Sequence, residues 1–180
     1  SRAGSKRNIM AHYDLGNDFY QLWLDPGMSY SSALYRAVDG DDLESAQRAK
    51  YRRILRRLKA DAGDRVLEIG CGWGGFAEMA VEQGLQVTGL TLSPAQLAWA
   101  QKRVPGADLR LQDYRDTKEQ FDHIVSIEMF EAVGERWWPT YFKTIAKSLK
   151  PGGRAVVQSI TIRDDLFADY RKGTDFIQQY

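Results

Sequence analysis

From Asp64 onward the chain alternates two periods. Short runs rich in β-branched and other apolar residues, at 65–69, 86–90, 108–111, 123–127 and 154–162, predict five strands. Helical stretches fall between them at 76–83, ended by Gly84, at 95–103, opened by Ser93-Pro94, and at 138–149, closed by Lys150-Pro151-Gly152-Gly153. This order predicts an α/β domain with a largely parallel, doubly wound sheet. A last helical stretch at 164–171 runs into Gly173, and the sheet is expected to lack edge strands where the sequence stops at Tyr180. Ahead of Asp64 the pattern is helical and aromatic. Asn17 or Asp18 is expected to cap a short helix carrying Phe19, Leu22 and Trp23, ended by Asp25-Pro26-Gly27. Leu43, Ala46, Tyr51, Ile54, Leu55 and Leu58 keep the 3.6-residue period of a longer helix. Lys50, Arg52, Arg53, Arg56, Arg57 and Lys59 are expected on its solvated surface, where anionic lipid is a second possible contact. The chain thus divides into an N-terminal helical region, 1–60, and an α/β core, 61–180.

Composition excludes more than it identifies. Hydrophobic residues at 43% and charged residues at 27% are values of a folded globular domain. Lys and Arg number 25 against 24 Asp and Glu, so a net charge of +1 gives no broad basic surface for nucleic acid. The single cysteine, Cys71, cannot form an internal disulfide, and two histidines do not complete a zinc site, so no metal is expected. No apolar run approaches the roughly 18 residues of a spanning helix, and the first residues carry no hydrophobic signal core. The expectation is a soluble, cytoplasmic protein, and the missing initiator methionine is expected of a piece cut from a longer chain.

The most informative segment is Val66-Leu67-Glu68-Ile69-Gly70-Cys71-Gly72-Trp73-Gly74-Gly75-Phe76, a strand running through a glycine-rich turn into a helix. Such a turn lets backbone amides approach a ligand at the positive end of a helix. Gly70, Gly72 and Gly75 satisfy the dinucleotide spacing, so a nicotinamide-dependent oxidoreductase is one reading. Dinucleotide enzymes place an acid about 20 residues on, at the end of the second strand. Here that place reads Gly89-Leu90-Thr91-Leu92-Ser93, without one. An acid stands inside the first strand instead, in Glu68-x-Gly70-x-Gly72-x-Gly74. This resembles the first motif of class I S-adenosylmethionine (SAM)-dependent methyltransferases, which have a Rossmann-like fold. Cys71 and Trp73 read as packing residues of the turn.

Further segments narrow the resemblance. His12-Tyr13-Asp14-Leu15-Gly16-Asn17-Asp18-Phe19-Tyr20, Tyr30-Ser31-Ser32-Ala33, Leu43-Glu44-Ser45-Ala46-Gln47, Gln112-Asp113-Tyr114-Arg115-Asp116 and Phe130-Glu131-Ala132-Val133-Gly134, together with the glycine turn, follow one another in order. The chain thereby resembles the central portion of the cyclopropane-fatty-acyl-phospholipid synthases and mycolic acid cyclopropane synthases. The resemblance implies transfer of the SAM methyl group to a double bond of an unsaturated acyl chain, with residues 1–60 as lid and substrate region. It also implies an unsaturated phospholipid or fatty-acyl partner and a place peripheral to the membrane.

It further implies roles by position. Tyr30, Ser31, Glu68, Gly70, Gly72, Thr91, Leu92, Gln96, Asp113, Tyr114 and Ile127 match cofactor contacts, with Asp113-Tyr114 at the adenine. Glu131 matches a carboxylate that helps hold a catalytic bicarbonate, and Glu128, on the same segment, reads as a structural carboxylate with the role of an alternative base left open. Ser32 stands where the family has a cysteine and Gln158, in Gln158-Ser159-Ile160, where it has a histidine. These two departures imply a divergent branch with little bicarbonate dependence and a cyclopropane, methyl- or methylene-branched product. They also keep open a non-catalytic SAM- or lipid-binding domain.

Overall fold

The computed structural model describes residues 16–36, 40 and 42–170, so the His12-Tyr13-Asp14-Leu15 segment and residues 171–180 lie outside the described part. Strands β1 (Arg65–Ile69), β2 (Gln86–Thr91), β3 (Asp108–Leu111), β4 (Phe121–Ile127) and β5 (Leu149–Gln158) form one sheet in the order β3-β2-β1-β4-β5. All four pairings are parallel. The helices are α1 (Gly16–Gln21), α2 (Leu43–Leu58), α3 (Gly75–Glu82), α4 (Pro94–Arg103), α5 (Trp138–Ser148) and α6 (Asp164–Tyr170). The chain leaves β1 toward β2 on one side and returns to β4 on the other. The carboxyl end of β1 is therefore the switch point at which such sheets bind ligands.

Alternation along β1 builds two cores. Val66 packs with Tyr51, Ile54, Leu55 and Leu58 of α2, with Phe76, Ala77 and Ala80 of α3, and with Ala100 of α4. Leu67 and Ile69, on the opposite face, pack with Phe121 and Ile124 of β4 and with Tyr141 and Ile145 of α5. Both faces are covered, as a parallel sheet requires. Helix α2 shares the first core although it lies within residues 1–60. It starts where the Asp42 carboxylate accepts from the Ser45 amide at 2.7 Å.

Four expectations change. Asn17 and Asp18 lie inside the first turn of α1 and do not cap it; Asn17 faces the glycine turn instead. The first helix ends at Gln21, so Leu22 and Trp23 follow it and are not carried on it, and Leu22 is exposed. Lys50 is not on the solvated face of α2 but buried at 4% exposure, where its ammonium donates to Gln47 and Ser31. Strand β5 starts at Leu149, before the Pro-Gly-Gly segment, and ends at Gln158, four residues earlier than the apolar pattern suggests. The register shifts between the Phe121–Leu149 and His123–Arg154 pairs. A Cβ at Gly153 would stand 2.6 Å from the Asp122 carbonyl oxygen, so the irregularity needs glycine there. Beyond Gln158 the Ile160 amide donates to the Glu131 carboxylate and not to a strand neighbour.

Glu68 sits next to the carboxyl end of β1 at 3% exposure, and its Oε2 has no hydrogen-bond partner. Burial pushes its carboxyl well above the ordinary carboxylate range, and Lys50 and Arg103 pull it back only in part. A carboxyl raised in this way favours the fold at low pH and loses that contribution as pH rises through its folded-state pKa. The Tm gain of Glu68→Gln over the unmodified chain is therefore expected to grow from pH 5 to pH 8. A difference independent of pH would contradict it. At Gly89, opposite Glu68 in the β1–β2 register, an added Cβ would meet Leu109 Cδ2 at 2.6 Å and Cys71 Cβ at 3.0 Å. Both neighbours are buried, so Gly89→Ala is expected to cost about 1–3 kcal/mol in denaturant unfolding. Unchanged stability would show that this core can give way.

Candidate functional site: a cavity at the carboxyl end of the sheet

The turn after β1 is held open by its glycines. Gly70, Gly72 and Gly74 have φ of 83°, 52° and 86°, in the left-handed region that other residues rarely adopt. The Leu90 carbonyl at the end of β2 accepts from both Gly70 N, at 2.9 Å, and Cys71 N, at 2.8 Å. These two amides therefore bind the turn to the sheet and are not turned toward a ligand. A Cβ at Gly74 would press on Val104 and Ala100, and one at Gly75 would lie 3.0 Å from the Tyr51 hydroxyl. Gly72 differs, because a Cβ there would meet nothing within 4 Å. It faces open space.

Trp73 does more than pack. It is buried against Tyr20 and Met28, with its ring centroid 5.1 Å from that of Tyr20, and its indole N–H donates to Asn17 Oδ1 at 2.7 Å. Arg103 of α4 bridges the same regions, donating to the Gly27 carbonyl at 2.6 Å and to Glu78 at 2.7 Å. The N-terminal segment is thus fastened over the turn. Cys71 fills the space beside Gly89, and burial pushes its thiol up, which leaves it a packing group.

A cavity of about 210 Å³ lies between turn and segment, and all eleven residues expected to contact the cofactor line it. Glu68, Gly70 and Gly72 form its floor at β1. Thr91, Leu92 and Gln96 line it at the end of β2, where the Thr91 hydroxyl is 2.9 Å from Gln96 Oε1 and accepts from Ser93 N at 3.1 Å. Asp113 and Tyr114 line it after β3, Ile127 at the end of β4, and Tyr30 and Ser31 from the N-terminal segment. The Asp113 carboxylate is gripped by Arg115, through Nε at 2.8 Å and the backbone N at 2.9 Å. Sequence reasoning missed that partner, whose only signal is its place two residues on. Burial raises the phenols of Tyr30 and Tyr114, so both stay neutral donors. Open space above Gly72, an unpartnered buried carboxyl oxygen at Glu68 and polar groups at the end of β2 fit a ligand with an amino-acid part and a ribose.

The three residues expected to be catalytic are not among those lining this cavity. Ser32 and Gln158 do come together, at a residue between them in chain order. The Glu128 Oε1 accepts from Ser32 N at 2.8 Å, from the Ser32 hydroxyl and from Gln158 Nε2 at 2.8 Å, and Glu128 itself lines the cavity. Glu131 stands apart, its Oε1 accepting from the Ser159 hydroxyl at 2.9 Å and from Ile160 N. Behind the cluster, burial draws the Lys50 ammonium down to about 8, against the pull of Glu128, Asp25 and Glu68. Its donor bond to Ser31 places positive charge one residue from Ser32. No periodicity could have revealed this cluster, because its members lie 30 to 126 residues apart.

With this geometry in place, the comparisons are informative. The sequence matches the mycolic acid cyclopropane synthetase family over residues 1–180. It is 49% identical over 152 residues to the cyclopropane-fatty-acyl-phospholipid synthase of Escherichia coli K12, covering 83% of this chain and 39% of that protein. It is 38% identical over 192 residues to the tuberculostearic acid methyltransferase UfaA1 of Mycobacterium tuberculosis, covering 100% and 45%. The cyclopropane synthase MmaA2 from Mycobacterium tuberculosis superposes with a TM-score of 0.86 at 34% identity, covering 95% of this chain and 62% of that one. Mycolic acid cyclopropane synthase CmaA1 complexed with SAH and CTAB gives 0.81 at 34% identity, covering 84% and 55%. The chain spans less than half the length of these two curated relatives. The nicotinamide reading finds no support in these relatives or in the acid-free end of β2. A sheet wound about a glycine turn, a cavity above it and a match over residues 1–180 establish that the chain belongs to the mycolic acid cyclopropane synthetase family.

Proposed function

We propose that this chain is the core of a SAM-dependent C-methyltransferase acting on the double bonds of unsaturated acyl chains, supplied by phospholipid. The observation that carries the reading is the convergence of all eleven expected cofactor contacts, drawn from five separate segments, on one cavity. Relatives named as cyclopropane and tuberculostearic acid enzymes, and one whose structure holds SAH, support it.

SAM, when bound, supplies a methyl group on a sulfonium, and the alkene π pair that takes it leaves a positive charge on the other alkene carbon. The chain's own residues do the rest. Gly72 would leave room for the amino-acid part of SAM, Thr91 and Gln96 would hold its ribose, and Tyr114 and Asp113 would hold its adenine. The described part of residues 1–60 acts as a lid, with Tyr30 and Ser31 over the cavity. Tyr30 and Trp137 add aromatic rings to its wall, and the face of such a ring suits a cation. Glu131 holds the segment after β5 through Ser159 and Ile160.

Membrane contact is proposed through α2. Among the described residues no helix is long and apolar enough to cross a membrane, whereas Arg53, Arg56 and Arg57 stand exposed along one helix. Reversing these three charges is expected to weaken binding to anionic vesicles, and added salt to weaken binding of the unmodified protein. Binding indifferent to both would make the helix solvated surface only. The cofactor assignment is tested by calorimetry, in which SAM should bind and NADPH should not. Asparagine tolerates the left-handed region, so Gly72→Asn fills the cavity without unfolding the turn. It is expected to weaken SAM binding more than about tenfold, equivalent to about 1.4 kcal/mol. Unchanged affinity in the folded variant would remove the cofactor from this cavity.

A further inference from the structure

Glu128 has a backbone it should not have. Its φ is +47°, in the left-handed region, where a non-glycine side chain is strained. Strain of this kind persists where the surroundings over-determine the residue. Here they do so from both sides. The Glu128 amide donates to the Gln158 carbonyl at 2.9 Å, one step past the last β4–β5 pair. Its Oε1 accepts all three donors described above, two from Ser32 on the N-terminal segment and one from Gln158 on β5. Among the described residues no group donates to Oε2. One oxygen is clamped, and the other keeps its lone pairs on a residue that lines the cofactor cavity beside Ile127, Met129 and Gly134.

Alkene methylation creates a need for such an oxygen. Once the π pair has formed the new C–C bond, the acyl chain carries a positive charge, and a neutral product requires loss of one proton from carbon. The C–H pair left behind either closes a three-membered ring or forms a double bond. The balance is the same for both. We propose that Glu128 is a catalytic residue, whose Oε2 takes this proton and passes it to solvent, so that no free anion is needed as base. The proposal rests on the acyl-methyltransferase reading and deepens it. Ser32 and Gln158 are then positioning residues that aim the carboxylate.

The test uses the full chain with Glu128→Gly, which suits the backbone at φ +47°, and with Glu128→Gln, which keeps the size and loses the base. Both variants are expected to bind SAM in calorimetry as the unmodified protein does. Methyl transfer from labelled SAM to unsaturated phospholipid vesicles is expected to fall at least about 100-fold in both, the contribution of a positioned base. Added formate should restore part of the turnover of Glu128→Gly, where the donors of Ser32 and Gln158 are left free to hold it, and none of that of Glu128→Gln. Without turnover, carbon-13 NMR should show labelled formate binding to Glu128→Gly and not to the unmodified protein. A smaller loss of turnover, loss without formate rescue or binding, or loss of SAM binding in both variants overturns the assignment of Glu128. An unmodified protein that binds SAM yet methylates no unsaturated phospholipid overturns the underlying reading instead.

Discussion

The Leu90 carbonyl holds the site together. By accepting from two successive amides of the glycine turn, it fixes where β1 ends and where α3 begins, and the left-handed glycines follow from the path that this pair of hydrogen bonds imposes. Gly89 is the corollary. A side chain beside Leu90 would strike Cys71 and Leu109, so the turn approaches β2 this closely only because a glycine precedes the carbonyl. Once the turn is placed, Trp73 projects into the N-terminal segment and meets Tyr20 and Asn17. The lid, the cavity and the segment carrying Ser32 are positioned from that contact.

The glycines of the turn divide their labour in a way that motif spacing does not show. Gly74 and Gly75 admit the close packing of α4 and of Tyr51, while Gly72 alone faces open space. Only one of these three positions is left bare for a ligand. The amides of Gly70 and Cys71, which a sequence motif offers to a cofactor, are already engaged by the sheet.

How much was legible in the sequence follows from the range of the interactions. Period and punctuation reveal β1 and β3 to the residue and β2, β4 and the helices from α2 onward to within one or two positions, because local patterns encode local structure, whereas α1 starts before Asn17 and ends at Gln21, short of the expected Leu22 and Trp23. The start of β5 is obscured by Pro151 and Gly152, which read as a helix terminator but lie within the strand where its register shifts. Lys50 reads as one more basic residue of a solvated face, yet long-range contacts with Ser31 and Gln47 bury it. The cofactor contacts were legible through resemblance, since each stands in a recognisable segment. Glu128 was legible only as an alternative base on the segment of Glu131; its meeting with Ser32 and Gln158 was not, since a strained backbone and donors from two distant segments leave no trace in spacing.

The account places an electrophilic methyl donor, an apolar acceptor and a carboxylate around one cavity, so its central claim concerns which atom receives the methyl carbon. The direct measurement is carbon-13 and proton NMR of phospholipid recovered after the full-length protein has turned over SAM labelled in its methyl group. The account predicts the label within the acyl chain, bonded to carbon at the position of the former double bond, as a ring methylene, a methyl branch or a methylene. Label on a head-group nitrogen or oxygen, or label that stays on SAM while the lipid is unchanged, would contradict it.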